Sequence, residues 1–128
     1  MRAVIRGAIV ADLTLQGLGV VGEGVLSGEI DTPAQRPFLN LKWGERRPFF
    51  QGAVNQAVLA VWVHDNPNDY DKIDLICARL RVLIPSLVGM QDVTDYVSQI
   101  AWTGDGGDLK DDGHRTIARV SNYLINAS

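Results

Sequence analysis

The sequence predicts an α+β fold: a four-stranded, mostly antiparallel sheet with two helices packed on one face, in the order α-β-β-α-β-β. Three observations predict it. Two segments carry apolar residues at helical spacing, four alternate as half-buried strands do, and glycine, proline or clustered charge separates them. Helices gathered on one face of a mainly antiparallel sheet suit that order. The 128 residues read as one domain, 1–128, able to bury roughly two-thirds of the unfolded chain's surface.

Residues 2–16 read as the first helix, with Val4, Ile5, Ala8, Ile9 and Leu13 at helical spacings. Gly17, Gly19, Gly22 and Gly24 make its continuation costly, and Pro33 and Pro37 keep the next stretch irregular. Residues 17–36 are therefore mainly loop, with a short extended piece expected at Val25–Ile30. Leu39, Leu41 and Trp43 alternate with Phe38, Asn40 and Lys42, which predicts a strand over 37–43. Gly44–Gly52 holds charge and Pro48 between glycines and reads as a connection. Residues 54–64 form the strongest strand, rich in Val, Leu and Trp with no Pro or Gly.

Asn66-Pro67-Asn68-Asp69 is a helix start signal, with Asn66 as cap and Pro67 in the first helical position. Ile73, Ile76, Cys77, Leu80, Leu83, Ile84 and Leu87 then predict a helix over about 67–84, ended by Pro85 and Gly89. In 95–103, Tyr96, Ile100 and Trp102 oppose Val97, Gln99 and Ala101, as in a strand. The acidic connection 104–113 follows. The last strand is 114–125, with Thr116, Ala118, Val120 and Leu124 on one side and Arg115, Ile117, Arg119, Ser121 and Tyr123 on the other.

Composition narrows the function classes. With 46% hydrophobic and 21% charged residues the chain is a globular one, and a net charge of −3 supplies no field for non-specific nucleic-acid binding. Cys77 is the single cysteine, which forms no internal disulfide and fits a reducing compartment. The start has no signal-peptide pattern, and no apolar run reaches the roughly 18–20 residues that span a bilayer.

The chemical motifs fail in context. Gly17-Leu18-Gly19-Val20-Val21-Gly22 matches the dinucleotide glycine pattern, yet a helix precedes it and a loop follows, where the mechanism needs strand then helix. A calcium loop starting at Asp108 would place Lys110 and Arg119 where ligands belong. A looser carboxylate site among Asp105, Asp108, Asp111 and Asp112 competes with a simple solvated turn. One Cys and two His, His64 and His114, cannot build a Cys-rich zinc site. A nucleophile–His–acid triad stays open, since only the fold brings its members together. Cys77 lies on the apolar stripe of the second helix, where a buried inert thiol is the default. No catalytic residue, cofactor or metal is assigned.

Two features point instead to assembly. The strand 54–64 is apolar on both faces: Leu59, Val61 and Val63 on one, Val58, Ala60 and Trp62 on the other. Two helices cover one face, so Val58, Trp62 and, as a further candidate, Trp102 are expected on an open face that either meets a partner or lies under the 17–36 loop. The second feature is charge. Arg46 and Arg47 in one connection and Asp105, Asp108, Asp111 and Asp112 in another are either solvated turns or complementary patches of neighbouring copies, as a head-to-tail ring requires.

Arg36-Pro37-Phe38-Leu39-Asn40-Leu41-Lys42-Trp43, Val58-Leu59-Ala60-Val61-Trp62-Val63-His64-Asp65, Asn66-Pro67-Asn68-Asp69-Tyr70-Asp71-Lys72-Ile73-Asp74 and the closing Arg115–Ile125 strand resemble the tail terminator (tail completion) proteins of long-tailed bacteriophages, actinobacteriophage members most of all. The resemblance spans about residues 2–125 and is one of element order and composition. It implies a non-enzymatic virion protein assembled in the host cytoplasm into a ring, commonly a hexamer, at the head-proximal end of the tail. Such a ring caps the tail tube protein, stops polymerisation, joins the neck or head-completion protein, and lets DNA pass through its lumen unbound, with no membrane involved. A neck protein, or a small ligand-binding or enzymatic α+β domain using His64, Asp65 and the 104–113 loop, are the alternatives.

Overall fold

The computed structural model describes residues 2–27, 36–49, 54–93, 95–113 and 115–128. Its helices are α1 (Arg2–Ala11), α2 (Leu13–Gly17) and α3 (Tyr70–Leu83). Its strands are β1 (Val25–Ser27), β2 (Phe38–Phe49), β3 (Val54–Asp65), β4 (Val97–Asp105), β5 (Leu109–Asp111) and β6 (Thr116–Ala127). They form one six-stranded sheet in the order β1-β2-β3-β6-β4, with β5 also on β6. β1 runs parallel to β2, and every other pair is antiparallel.

The expected four-stranded sheet in the order α-β-β-α-β-β is therefore corrected to a mixed α/β fold. The two added strands, β1 and β5, have three residues each, too few for a period of two to show in a sequence. β1 is the extended piece expected within Val25–Ile30; residues 28–30 lie outside the described residues. The first helix is also divided. Asp12 takes an extended conformation (φ −72°, ψ 117°) and its carboxylate accepts the Leu15 amide at 3.0 Å, so it caps α2 instead of continuing α1. Arg79 of α3 holds the same carboxylate through two bonds, at 2.6 and 3.0 Å. That bond to Arg79 keeps the Asp12 carboxyl below the usual carboxylate range against the opposing effect of its burial.

The segment Gly44–Phe49, expected as a connection, continues β2 alongside β3. Trp43 faces Leu59 and Arg46 faces Ala57, so Gly44 and Glu45 together oppose Val58 in a bulge. A Cβ on Gly44 would sit 3.3 Å from the Val58 Cβ, tighter than an ordinary side-chain contact. Pro48 is tolerated because β1 pairs only with Leu39–Leu41, leaving β2 an edge strand beyond. The second long helix starts at Tyr70, later than the expected residue 67. Asn68 has φ 77°, outside helical space, and Asn66–Asp69 forms a turn closed by the Asp69 amide on the Asn66 carbonyl at 3.1 Å.

The core lies between the helices and one sheet face. Ile5, Ile9 and Leu15 from the first two helices meet Ile73, Ile76, Cys77 and Leu80 of α3 over Leu39, Leu41, Leu59, Val61, Val63, Tyr123 and Ile125. Each such side chain, fully buried, contributes roughly 1.5–3 kcal/mol. Arg6 fastens α1 to the incoming chain, its guanidinium donating to the carbonyls of Val25 at 2.9 Å and Gly22 at 3.0 Å.

Candidate functional site

The register of β6 sorts the candidate residues by face. Val58, Ala60, Trp62 and His64 of β3 lie beside Leu124, Asn122, Val120 and Ala118 of β6, on the face away from the helices. Across β2, Lys42 opposes Ala60 and Asn40 opposes Trp62. Val58 is 44% exposed, and Trp62, Val120 and Leu124 are half-buried. The Lys42 ammonium stands over the Trp62 ring, 5.8 Å from its centroid. Towards Asp65 this face is closed: Phe38 and His64 stack at 4.5 Å, and both are buried. The apolar opening is thus centred on Val58 and Trp62.

Trp102 is not part of that opening. It pairs with Tyr123, on the helix side of the sheet. A bulge after Val97 inserts Ser98 and changes the alternation, so Val97, Ile100 and Trp102 share one face, where simple alternation had set Val97 against the other two. Arg81 of α3 covers the Trp102 ring at 5.0 Å, and the indole N–H donates to Asp105 at 3.0 Å.

The charged candidates are also divided. Arg46 and Arg47 are neighbours in β2 and point to opposite faces: Arg46 opposes Ala57 on the helix side and Arg47 opposes Gln56 on the other. Arg46 is ion-paired with the buried Asp95 of its own chain. Asp105 lies 3.9 Å from Arg81. Asp108 pairs at 2.7 Å with Arg119, which also binds Asp74 of α3. Partial burial works against the charged form of Arg119, yet its bonds to these two carboxylates raise its pKa overall. Asp111 lies 3.8 Å from His64, while Asp112 is exposed at the β5–β6 turn. Arg46 lies level with Ile125 near one end of β6 and Asp111 level with Thr116 at the other, while Asp105, level with Ser121, lies between them.

The catalytic alternatives find little in this geometry. The His64 Nδ1 meets both the Thr116 hydroxyl, at 2.9 Å, and the Asp111 carboxylate, at 3.8 Å. A relay needs acid and nucleophile on opposite ring nitrogens. His114 lies outside the described residues. Burial pushes the Cys77 thiol up to about 11, so it is neutral near pH 7. Gly17–Gly22 runs from the end of α2 into a single 3-10 turn, Gly22–Gly24, which is too short to present the helix N-terminus that a phosphate needs. Among the described residues no group of three or more His, Cys, Asp or Glu is placed to hold a metal ion, and no helix is long and apolar enough to cross a membrane.

A cleft that the sequence did not flag lies at the end of the sheet near Arg46. Arg2, Ala3, Trp43, Gly44, Arg46, Ala57 and Asp95 line about 320 Å³. A second one, of about 280 Å³, lies by Lys110, Asp111, Asp112 and Arg115 at the other end.

No protein-family model matches the chain, and no curated protein matches it. A chain from a solved structure, the "virion of native gene transfer agent (GTA) particle", superimposes with a TM-score of 0.74 over 99% of this chain and 93% of that one, at 14% identity. The two share a fold. A second solved structure matches with a TM-score of 0.57 over 98% of this chain and 95% of that chain, at 17% identity. Likeness at these identities concerns architecture alone.

Proposed function

We propose that this chain is a structural virion protein, and that residues 1–128 act as one tail-terminator-like domain. In this reading it forms a homo-oligomeric ring, a hexamer by family resemblance, at the head-proximal end of a phage tail. One ring face caps the tail tube protein and stops polymerisation; the other meets the neck or head-completion protein. The observation that carries the reading is the fold likeness to a component of a gene transfer agent virion, which runs nearly end to end through both chains.

The surfaces are compatible with that role. The open face at Val58 and Trp62 is an apolar patch of the sort that a subunit contact covers. Charge of opposite sign, Arg46 near one end of the sheet and Asp111 at the other, suits head-to-tail contacts, which close into a ring when the rotation allows. A net charge of −3 suits a lumen through which DNA passes without being gripped.

The test is light scattering on a sizing column over a wide concentration range, with negative-stain images, followed by mixing with purified tail tubes. Ring-shaped particles that cap tubes are expected. Rings that ignore tubes and bind the portal side would move the assignment to a neck protein. A protein that is monomeric alone and on tube ends, but is stabilised by a metal or nucleotide in a thermal-shift screen, would replace the virion reading with a ligand-binding one.

A further inference from the structure

We propose that the solvent face of α3 is a docking seam for the same helix of a second copy, packed antiparallel about a two-fold axis. The core side of α3 is already used, with Ile73, Ile76, Cys77 and Leu80 buried. Its opposite side is apolar as well. Leu75 is 57% exposed and Val82 62%, and the exposed Ala78 lies between them. Together with Asp71 they stand at spacings of four, three and four residues, which keeps them within about 60° of one another around the helix. That is the a/d row of a coiled-coil seam. Single exposed apolar side chains are ordinary on a surface. A straight row on the back of a helix whose front is already buried marks a contact.

Charge selects the occupant. Asp71 and Asp74 occupy the N-terminal half of α3, and Arg79 and Arg81 the C-terminal half. Asp74 and Arg81 are seven residues apart, so they share one flank of the row. In an antiparallel pair, Asp74 of each copy comes against Arg81 of the other, giving two equivalent contacts from one axis. Both groups stay partly exposed in the single chain: Asp74 meets Arg119 through Oδ1, and Arg81 lies 3.9 Å from Asp105. Lys72 and Arg79 line the other flank, where two bonds to Asp12 neutralise Arg79. A parallel partner would bring the two basic ends together and align the helix dipoles. Ala78, midway between the charged pair, carries nothing beyond its Cβ and lets the two axes approach closely.

A contact of this kind uses the same surface on both copies, whereas a ring needs head-to-tail contacts, so the seam does not rest on the ring-subunit reading. The helix has 14 residues, about 21 Å in length, which makes the contact a small and weak one. Sedimentation equilibrium measures it on the full chain carrying Val58→Asp, a change on the outer sheet face that keeps ring contacts from competing. A monomer–dimer equilibrium with a Kd below about 1 mM is expected. Val82→Glu should weaken the dimer roughly tenfold or more, because the seam would then bury an unpaired charge. Its melting temperature should hardly change, since Val82 is exposed in the single chain.

The orientation is read from a charge exchange. Asp74→Arg and Arg81→Asp should each weaken the dimer roughly threefold or more, and both in one chain should restore it to within about twofold of the parent. Within one copy the exchanged groups stand about 10 Å apart along the helix, so only the antiparallel neighbour brings them together. A chain that stays monomeric to about 1 mM, a dimer indifferent to Val82→Glu, or a double exchange no better than the single ones overturns the seam. A monomeric chain in which Val82→Glu stops tube capping overturns the second copy and gives the row to another virion protein. Rings from a parent whose Val58→Asp form never dimerises refute the seam alone; dimers from a chain that never forms rings refute the ring reading alone.

Discussion

Gly106→Ala should destabilise this protein, and Val120→Ala should rescue it. Gly106 follows β4 where the chain leaves the β6 edge before rejoining it as β5, and its amide donates to the Val120 carbonyl at 2.8 Å. A Cβ there would lie 2.6 Å from the Val120 Cγ1, about an ångström inside the optimal carbon–carbon separation. Valine is β-branched and stiff at χ1, so rotation swaps one methyl for another and the backbone has to move. Overpacking of this kind costs about 1–3 kcal/mol. The backbone at Gly106 is not left-handed, so alanine also returns about 0.4–1 kcal/mol by restricting the unfolded chain. The net loss is about 1–2 kcal/mol, a fall in Tm of roughly 3–8 °C for a chain of this size. Val120→Ala alone removes half-buried methyl groups and should cost about 1 kcal/mol. In the double variant the clash is gone, so it should be as stable as Val120→Ala or slightly more so. Urea melts of the four proteins measure the cycle. Additive costs, or no cost for Gly106→Ala, would falsify the contact.

Further outcomes follow from the open face and the buried groups. Val58→Asp, on a residue 44% exposed, should leave the melting temperature of the dissociated chain nearly unchanged while abolishing ring formation in light scattering; intact rings would show that this face stays uncovered. Asp65 is fully buried, its Oδ1 accepts the Asn66 amide, and its Oδ2 has no partner among the described residues. Burial raises its pKa above the ordinary 3.8, against the pull of the Asn66 amide and the Lys72 charge. An acid with a raised folded pKa takes up a proton on folding, so stability is lost as pH rises from the unfolded value through the folded one. Relative to Asp65→Asn, the parent should therefore weaken from pH 4 to pH 7, and a constant difference over that span would show that Asp65 has no raised pKa. Cys77, at 0% exposure with its thiol near 11, should resist a thiol reagent at pH 8 until urea unfolds the chain; rapid native labelling would contradict its burial.

Much of the fold was legible, for a local reason. β3 spans Val54–Asp65 where alternation marked 54–64, α3 keeps Ile73, Ile76, Cys77 and Leu80 inside, and the two sides of β6 are those its alternation names. Each pattern reflects one element burying one face, and that period is written in consecutive residues. Gly44–Phe49 misleads because its glycine, proline and clustered charge signal a connection, while the ladder to β3 overrides that local signal. Asp12 inside a helical period looks like an ordinary polar position until Arg79, 67 residues away, meets it.

The candidate surfaces divide in the same way. The apolar outer side of β3 was visible as Val58, Ala60 and Trp62, because strand parity alone separates them from Leu59, Val61 and Val63. Trp102 crossed to the helix side because one inserted residue in β4 reverses parity, and a bulge has no periodic signature. Arg46 was visible as charge, but its neighbours in the cleft were not: Arg2 reads as a helix terminus and Trp43 as a core position.

The sequence by itself determined which residues alternate, which repeat at helical spacing, and that no familiar catalytic or metal-binding motif stands in its required context. Tertiary structure alone decided the parallel β1–β2 pair, the six-strand order, the separation of Arg46 from Arg47 across the sheet, and an indole N–H at Trp43 with no partner among the described residues. Periodicity is a property of neighbours along the chain, whereas pairing, parity after a bulge and the filling of a cleft depend on residues that only folding brings together.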